Sequence, residues 1–237
     1  MSNGWNESAA AWIADQGDAG DYGRRFVLDK VMLARIEGRS FSRALDVGCG
    51  EGRFCRRLRE RGIEAVGIDP TLALLEEARR RDPEGDYRDG IGEKLDFPNA
   101  SFDLVVSYLT LIDIPDIAAA IAEMARVLKP DGTLLIANLN SFNTAGPPTG
   151  WTRDERGRAL RFEIDHYLEE RSNRVSWRGI EIENWHRPLS TYMQLLLGQG
   201  LVLKFFDEPA PHGGDPVTAE RYRRVPYFLV MELAKPA

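Results

Sequence analysis

Cysteine and histidine are scarce in this chain, with two and three copies in 237 residues. Cys49 and Cys55 sit six apart, and two thiols make no disulfide framework, so reduced thiols and a cytoplasmic location are expected. So few thiols and imidazoles also supply no cluster with metal-ligand spacing, and no metal is expected. Positive charge is not in excess. Thirty-one Lys and Arg stand against 37 Asp and Glu, for a net charge of -6. A nucleic-acid partner calls for a basic face, so none is expected. No apolar run approaches the roughly 20 residues of a membrane span. The start, Met1-Ser2-Asn3-Gly4-Trp5-Asn6-Glu7, has neither the basic nor the apolar region of a signal peptide, so no membrane partner is expected. No internal repeat is visible, and nothing in the pattern specifies an oligomeric state.

What the sequence does have is a glycine-rich turn. Arg43-Ala44-Leu45-Asp46-Val47 reads as a short buried strand, and Gly48-Cys49-Gly50-Glu51-Gly52 as a turn opening into a helix. Glycines at alternate positions let the backbone turn sharply and pass close to a ligand. The dinucleotide fingerprint is G-x-G-x-x-G with pyrophosphate at the helix N-terminus. Here the third glycine comes one residue early and position 53 is arginine, which favours a nucleoside beside a cationic group over a phosphate.

Around this turn, strand and helix patterns alternate. Strands are expected at 43–47, 64–69, 86–88, 101–107, 133–137, 201–206 and 227–233. Helices are expected over 6–36 in two pieces, and at 52–61, 71–81, 115–128 and 188–197, with a turn at 129–132. Such alternation predicts βαβ units, a parallel sheet and right-handed crossovers, hence a doubly wound α/β fold. The pattern breaks near 141, where Gly146-Pro147-Pro148 is followed by alternating polar and aromatic stretches. These predict a small antiparallel sheet inserted as a cap. The chain accordingly divides into cover helices and a cofactor-binding half at 1–140, a cap at 141–187, and a completing helix and strands at 188–237.

In an open parallel sheet, ligands bind outside the carboxyl ends of the strands. Those ends carry the glycine turn, Asp69, Asp89, Ser107-Tyr108 and Asn138 to Phe142. Asp69 follows Gly48 by 21 residues, the separation at which an acid meets ribose hydroxyls. Asp89 is placed to accept from an adenine amine. Three acids around a glycine turn suit an adenosine that carries positive charge.

That constellation resembles the class I S-adenosylmethionine-dependent methyltransferases, and within them the small-molecule branch that includes quinone and natural-product enzymes. Leu45-Asp46-Val47-Gly48-Cys49-Gly50-Glu51-Gly52 matches their first motif, Asp69 and Asp89 their two nucleoside acids, and Arg126-Val127-Leu128-Lys129-Pro130-Asp131-Gly132 the turn before the fifth strand. Trp185-His186-Arg187-Pro188-Leu189-Ser190-Thr191-Tyr192 resembles a segment of the small-molecule branch. The resemblance implies a seven-stranded sheet of order 3-2-1-4-5-7-6 with the last strand antiparallel, S-adenosylmethionine as methyl donor, and an in-line displacement at its sulfonium. The protein then contributes proximity and exclusion of water, and a base only where the acceptor must lose a proton.

Two families are disfavoured by what stands in place of their motifs. The Asn/Asp-Pro-Pro-aromatic motif of nucleobase and glutamine methyltransferases is replaced by Ser107-Tyr108-Leu109-Thr110, and neither cysteine follows a proline as in the cytosine-C5 enzymes. A small organic acceptor, methylated on oxygen or nitrogen, is therefore expected. The cofactor surface is assigned to Asp46, Gly48, Cys49, Gly50, Gly52, Asp69, Pro70, Asp89, Gly90 and Ser107, with Tyr22 and Arg24 covering it. Arg24 or its neighbour Arg25 is the candidate partner of the methionine carboxylate. The acceptor surface is assigned to Tyr108, Asn138, Phe142, Tyr167 and Trp185, and His186 or His166 is the candidate base. Asp113 faces either the acceptor or the next helix as its cap. The competing readings are a nicotinamide-dependent oxidoreductase on a similar sheet and a non-catalytic module that keeps the cofactor pocket.

Overall fold

The computed structural model describes residues 3–146 and 150–237. Pro147 and Pro148, where the sequence pattern breaks, lie outside the described residues, as does the start of the chain at Met1-Ser2. The seven strands of the main sheet are β1 (Arg43–Val47), β2 (Glu64–Asp69), β3 (Asp86–Asp89), β4 (Phe102–Tyr108), β5 (Leu128–Leu139), and two late strands (Val202–Asp207 and Phe228–Ala234) numbered β10 and β11 below. Their spatial order is β10-β11-β5-β4-β1-β2-β3. β11 alone runs antiparallel, against both β5 and β10. This is the expected order, counted from the far edge.

The central strands read as continuous apolar runs because both faces are covered. Leu45, Val66, Val105, Leu134 and Ile136 point to one side, against Ile117, Ile121 and Met124 of α5 (Ile117–Val127) and Tyr192 and Leu196 of a late helix (Leu189–Gly198). Leu104, Val106, Leu135 and Ala137 point to the other, against Phe54 and Leu58 of α3 (Arg53–Arg59) and Leu75 and Ala78 of α4 (Leu72–Arg81). Val27, Leu28 and Met32 join the second face. They come from a π-helical turn (Arg24–Leu28) that runs into α2 (Asp29–Ala34), behind α1 (Trp5–Gln16).

The turn expected at 129–132 falls inside β5. Leu128 pairs with Phe102 and Thr133 with Leu104, so residues 129–132 are taken up by an irregularity in the register, with Asp131 at φ +61°. A short helix α6 (Ser141–Thr144) follows β5, and then the cap.

The cap is not one sheet. It is two separate hairpins, β6 (Gly150–Arg153) with β7 (Ala159–Glu163), and β8 (Arg171–Trp177) with β9 (Ile180–His186). The second hairpin is closed by the N-terminus of the chain. The Glu181 carbonyl accepts from Ser8 Oγ and the Glu183 amide donates to the Asn3 carbonyl. α7 (Leu189–Gly198), β10, α8 (Pro216–Arg224) and β11 complete the chain. α8 lies outside the expected elements, although its start signal is present: Asp215 caps the Thr218 amide at 2.7 Å with Pro216 in the first turn.

The end of β9 is a fastener. Asn184 and His186 are buried while Glu181 is exposed, so alternate residues face inward. The Trp185 amide donates to Ile112 O at 2.7 Å, and the buried Arg187 guanidinium donates to the carbonyls of Leu111, Ile114 and Pro115. The strand thereby holds the β4–α5 loop. His186 is fully buried, with Nδ1 bonded to Thr144 Oγ1 at 2.8 Å and Nε2 to the Tyr167 carbonyl at 2.9 Å.

His186→Ala removes both bonds and the ring from a closed environment. A loss of about 2 kcal/mol is expected, or a melting temperature lower by roughly 4–8 °C, with little change in cofactor affinity. An unchanged melting curve with abolished turnover would return His186 to the chemistry.

Candidate active site

A cavity of about 750 Å³ opens at the carboxyl ends of β1, β2 and β4. Its floor is the glycine turn. Gly48, Gly50 and Gly52 all have positive φ, at 73°, 55° and 75°. At Gly48 a β-carbon would lie 2.2 Å from Thr110 Cγ2, and at Gly52 2.5 Å from the Tyr87 ring. These two glycines are required by the close packing of protein around them. Gly50 differs, since a β-carbon there would meet only Trp12 Nε1 at 4.0 Å and would otherwise project into the cavity. The bare backbone at Gly50 is therefore a surface for something other than protein.

Asp69 anchors this floor. Its Oδ2 accepts from the Gly50 amide at 2.9 Å and its Oδ1 from the Thr71 amide at 2.8 Å. A carboxylate has about four lone-pair positions, so two remain for ligand hydroxyls. Burial raises its pKa against these bonds. Asp46 is buried at the end of β1. Its Oδ2 faces Cys55 Sγ at 3.5 Å and its Oδ1 has no partner. Burial, with Asp69 and Glu51 nearby, pushes its carboxyl up to about 7. An orphaned acid beside bare backbone fits a cationic nucleoside. Cys49, Pro70 and Gly90 line the same region.

The N-terminal segment roofs this region. Arg24 is paired with Asp21 at 2.9 Å and stacks its guanidinium on Trp12, 4.8 Å from the ring centroid. Arg53, the residue that departs from the dinucleotide fingerprint, bonds both oxygens of Asp29 and the Ala19 carbonyl, clasping the start of α3 to the cover. Tyr108 lines the cavity with its hydroxyl donated to Asp29 at 2.8 Å and its ring edge-on to Phe54. Burial and the Asp29 charge hold that phenol far above its ordinary pKa, so it orders the wall and is no base.

Several expected site residues are not brought to the cavity. Tyr22 gives its hydroxyl to Gly213 O and packs against Tyr222. Asp89 pairs by backbone with Asp69 at the end of β3, with its side chain exposed, and its neighbour Gly90 lines the cavity instead. Ser107 and Asn138 are buried inside the sheet, where period-two alternation turns them away from the opening. Phe142 is exposed and lies against Tyr167, 5.4 Å between centroids, and Trp185 is stacked under Arg187. His166 is exposed, bonded to Glu169 at 2.9 Å, and its pKa is raised by that carboxylate. His186 has both ring nitrogens committed, and burial lowers its pKa. Neither histidine borders the cavity.

The far wall is built from other residues. Of the two described cap hairpins, β8–β9 reaches it, through Trp177, Ile182 and Asn184, and Asn143 of α6 also lines the cavity. Asp113, on the loop after β4, accepts from Asn184 Nδ2 at 2.6 Å, and burial raises its carboxyl well above the ordinary range. Of the two roles open to it, the structure places it at the cavity, and Asp116 is the cap of α5. Just before it, Leu109 adopts φ +62°, a conformation costly for a branched residue and held here by its amide bond to Ala137 O. The opposite wall carries Arg221 and Tyr222 of α8, Tyr227 just before β11, and Phe228 of β11. The signal that points to Arg221 and Tyr222 in sequence is the Asp215-Pro216 helix start.

Among the described residues there is no cluster with metal-ligand geometry and no helix long and apolar enough to cross a membrane.

Comparison with known proteins agrees with this geometry. Residues 45–136 match the model of a methyltransferase domain. The chain is 30% identical over 178 residues to a malonyl-[acyl-carrier protein] O-methyltransferase of Salmonella typhimurium, covering 71% of this chain and 68% of that one. It is 31% identical over 121 residues to a ubiquinone biosynthesis O-methyltransferase of Rhodopseudomonas palustris, covering 49% and 46%. The chain spans about half the length of several such relatives. An S-adenosylmethionine-dependent methyltransferase structure from Mesorhizobium loti superposes with a TM-score of 0.77 at 27% identity, over 87% of this chain and 96% of that one. Sheet order, glycine turn and relatives together displace the nicotinamide reading, and the chain belongs to the class I S-adenosylmethionine-dependent methyltransferases.

Proposed function

We propose that this methyltransferase modifies a small organic acceptor, on oxygen or nitrogen, which enters beneath the β8–β9 hairpin and surrenders its proton to Asp113. One observation carries the reading. A single cavity runs from the glycine turn, where a nucleoside fits, to the half-buried Asp113–Asn184 pair and the aromatic wall beyond it. Its volume lies within the range of small-molecule sites.

When bound, S-adenosylmethionine supplies a methyl group on a sulfonium that leaves as a neutral thioether. Asp69 takes the ribose hydroxyls with its free lone pairs, and Asp46 meets the cationic amino-acid end. Arg24, oriented by Asp21 and Trp12, faces the methionine carboxylate. Trp5, Trp12 and Trp177 shut out water around the transfer. Asp113 accepts the acceptor's proton, with the Asn184 amide holding the carboxyl in one orientation. The relatives' names include a malonyl-[acyl-carrier protein] O-methyltransferase and a ubiquinone biosynthesis O-methyltransferase, so several acceptor types suit one donor site.

Asp69→Ala is expected to weaken S-adenosylmethionine binding at least tenfold by calorimetry, since it removes both the ribose contact and the tether of Gly50. Unchanged affinity would overturn the donor site. A second expectation concerns pH. Burial holds the Asp46 carboxyl up at about 7. A bound cation favours its ionised form, so protonation competes with binding. Affinity is expected to fall about tenfold from pH 8 to pH 6 and to level off above 8, and Asp46→Asn should flatten the profile. Asp113→Asn is expected to lower turnover about 100-fold or more with any acceptor that the native enzyme methylates, leaving S-adenosylhomocysteine affinity within about twofold. Full turnover in Asp113→Asn would sink the assignment of the base.

A further inference from the structure

Three arginines line the cavity, and their partners differ. Arg24 is paired with Asp21, and Arg53 with Asp29 and the Ala19 carbonyl. The Arg221 side chain makes no hydrogen bond and no ion pair among the described residues. Its Nε is buried without a partner, and its guanidinium stands 5.9 Å from the Tyr222 ring centroid. A guanidinium has five donors, and a buried Nε at a cavity wall with no protein acceptor is costly unless a ligand or water supplies one.

The placement of Arg221 separates it from the donor. Arg24 lies over Trp12, whose indole nitrogen is the nearest protein atom to the bare face of Gly50, so Arg24 belongs to the glycine-turn end. Arg221 belongs to α8, on the wall formed with Tyr222 and Tyr227, whose rings stack 4.0 Å apart. The carboxylates lining the cavity are Asp21, which pairs with Arg24, and Asp46, Glu51, Asp69, Glu93 and Asp113. With Arg24 turned to the donor's carboxylate and Arg53 held by Asp29, Arg221 is the cavity guanidinium left for an anionic group of the acceptor.

We propose that Arg221 is an anion subsite, so that the acceptor carries a carboxylate which the guanidinium holds while the Tyr222–Tyr227 face packs against the acceptor's apolar body. A planar fork matches a carboxylate through two parallel hydrogen bonds. The proposal rests on the reading that the cavity beyond the nucleoside holds a small acceptor. It also orients that acceptor, with its acid toward α8 and its nucleophile toward the donor.

The test uses the full chain saturated with S-adenosylhomocysteine. Three matched pairs are titrated by calorimetry: malonate and malonamide, hexanoate and hexanamide, 4-hydroxybenzoate and 4-hydroxybenzamide. In at least one pair the acid is expected to bind at least about tenfold more tightly than its amide. Arg221→Met should abolish that preference and Arg221→Lys should retain part of it, both with S-adenosylhomocysteine affinity within about twofold of native. Absence of an acid preference in every pair overturns the subsite, as does a preference that survives in Arg221→Met. A tenfold loss of S-adenosylhomocysteine affinity in Arg221→Met also overturns it, by assigning the arginine to the methionine carboxylate. If the native chain binds no S-adenosylhomocysteine, the donor-site reading fails instead, and the two failures are distinguishable.

Discussion

The site depends on one carboxylate bonded to two backbone amides. Asp69 reaches from the end of β2 to the amide of Gly50, in the turn after β1, and to that of Thr71, at the start of α4. Parallel neighbours end on the same edge of the sheet, so the register that pairs Val47 with Ile68 brings these groups within reach. The Ile68 carbonyl accepts from both Gly48 and Cys49, fastening the same turn from beneath. With the turn fixed in this way, the backbone at Gly50 can stay bare, and a ligand rather than a side chain completes the surface.

A second constraint acts on the opposite side of the cavity. The loop after β4 carries Asp113 and contains a residue in left-handed conformation, and it would not hold one shape by itself. Arg187 and the Trp185 amide bind its carbonyls, and Asn184 binds Asp113 directly. The segment 184–187 therefore positions chemistry carried by another loop. The His186 ring serves the same end by joining β9 to α6 and to the Tyr167 carbonyl. The cap contributes mainly order, plus the three side chains of β8 and β9 that reach the cavity.

Charge is divided across the site. Acids gather at the glycine turn and at Asp113, and most of the positive charge is spent within the protein, on Asp21 and Asp29. Arg53 illustrates this economy. It departs from the dinucleotide pattern because it clasps the N-terminal cover to α3 and meets no phosphate. A cavity so arranged favours a cationic donor, and the unspent guanidinium of Arg221 marks the part of it that differs.

The donor half was legible in the sequence because its determinants are local. A continuous apolar strand, three glycines whose conformations side chains resist, and an acid at the next strand end are all short-range features, and the sheet order is what the resemblance carried by those features implies. The acceptor half was not legible, because it depends on which residues of distant segments meet. Histidines and aromatic residues in the cap looked like chemistry by type, yet burial and hydrogen bonding committed His186 and Trp185 to structure. Asn138 and Ser107 stood at strand ends, but the pleat turned them inward. Asp113, Asn184 and Arg221 come from three segments brought together only by folding. The sequence by itself determined the fold and the methyl donor, since both are written in spacing along one chain; tertiary structure decided the acceptor wall, since a side chain's role there depends on which neighbours satisfy its polar atoms and which leave them free.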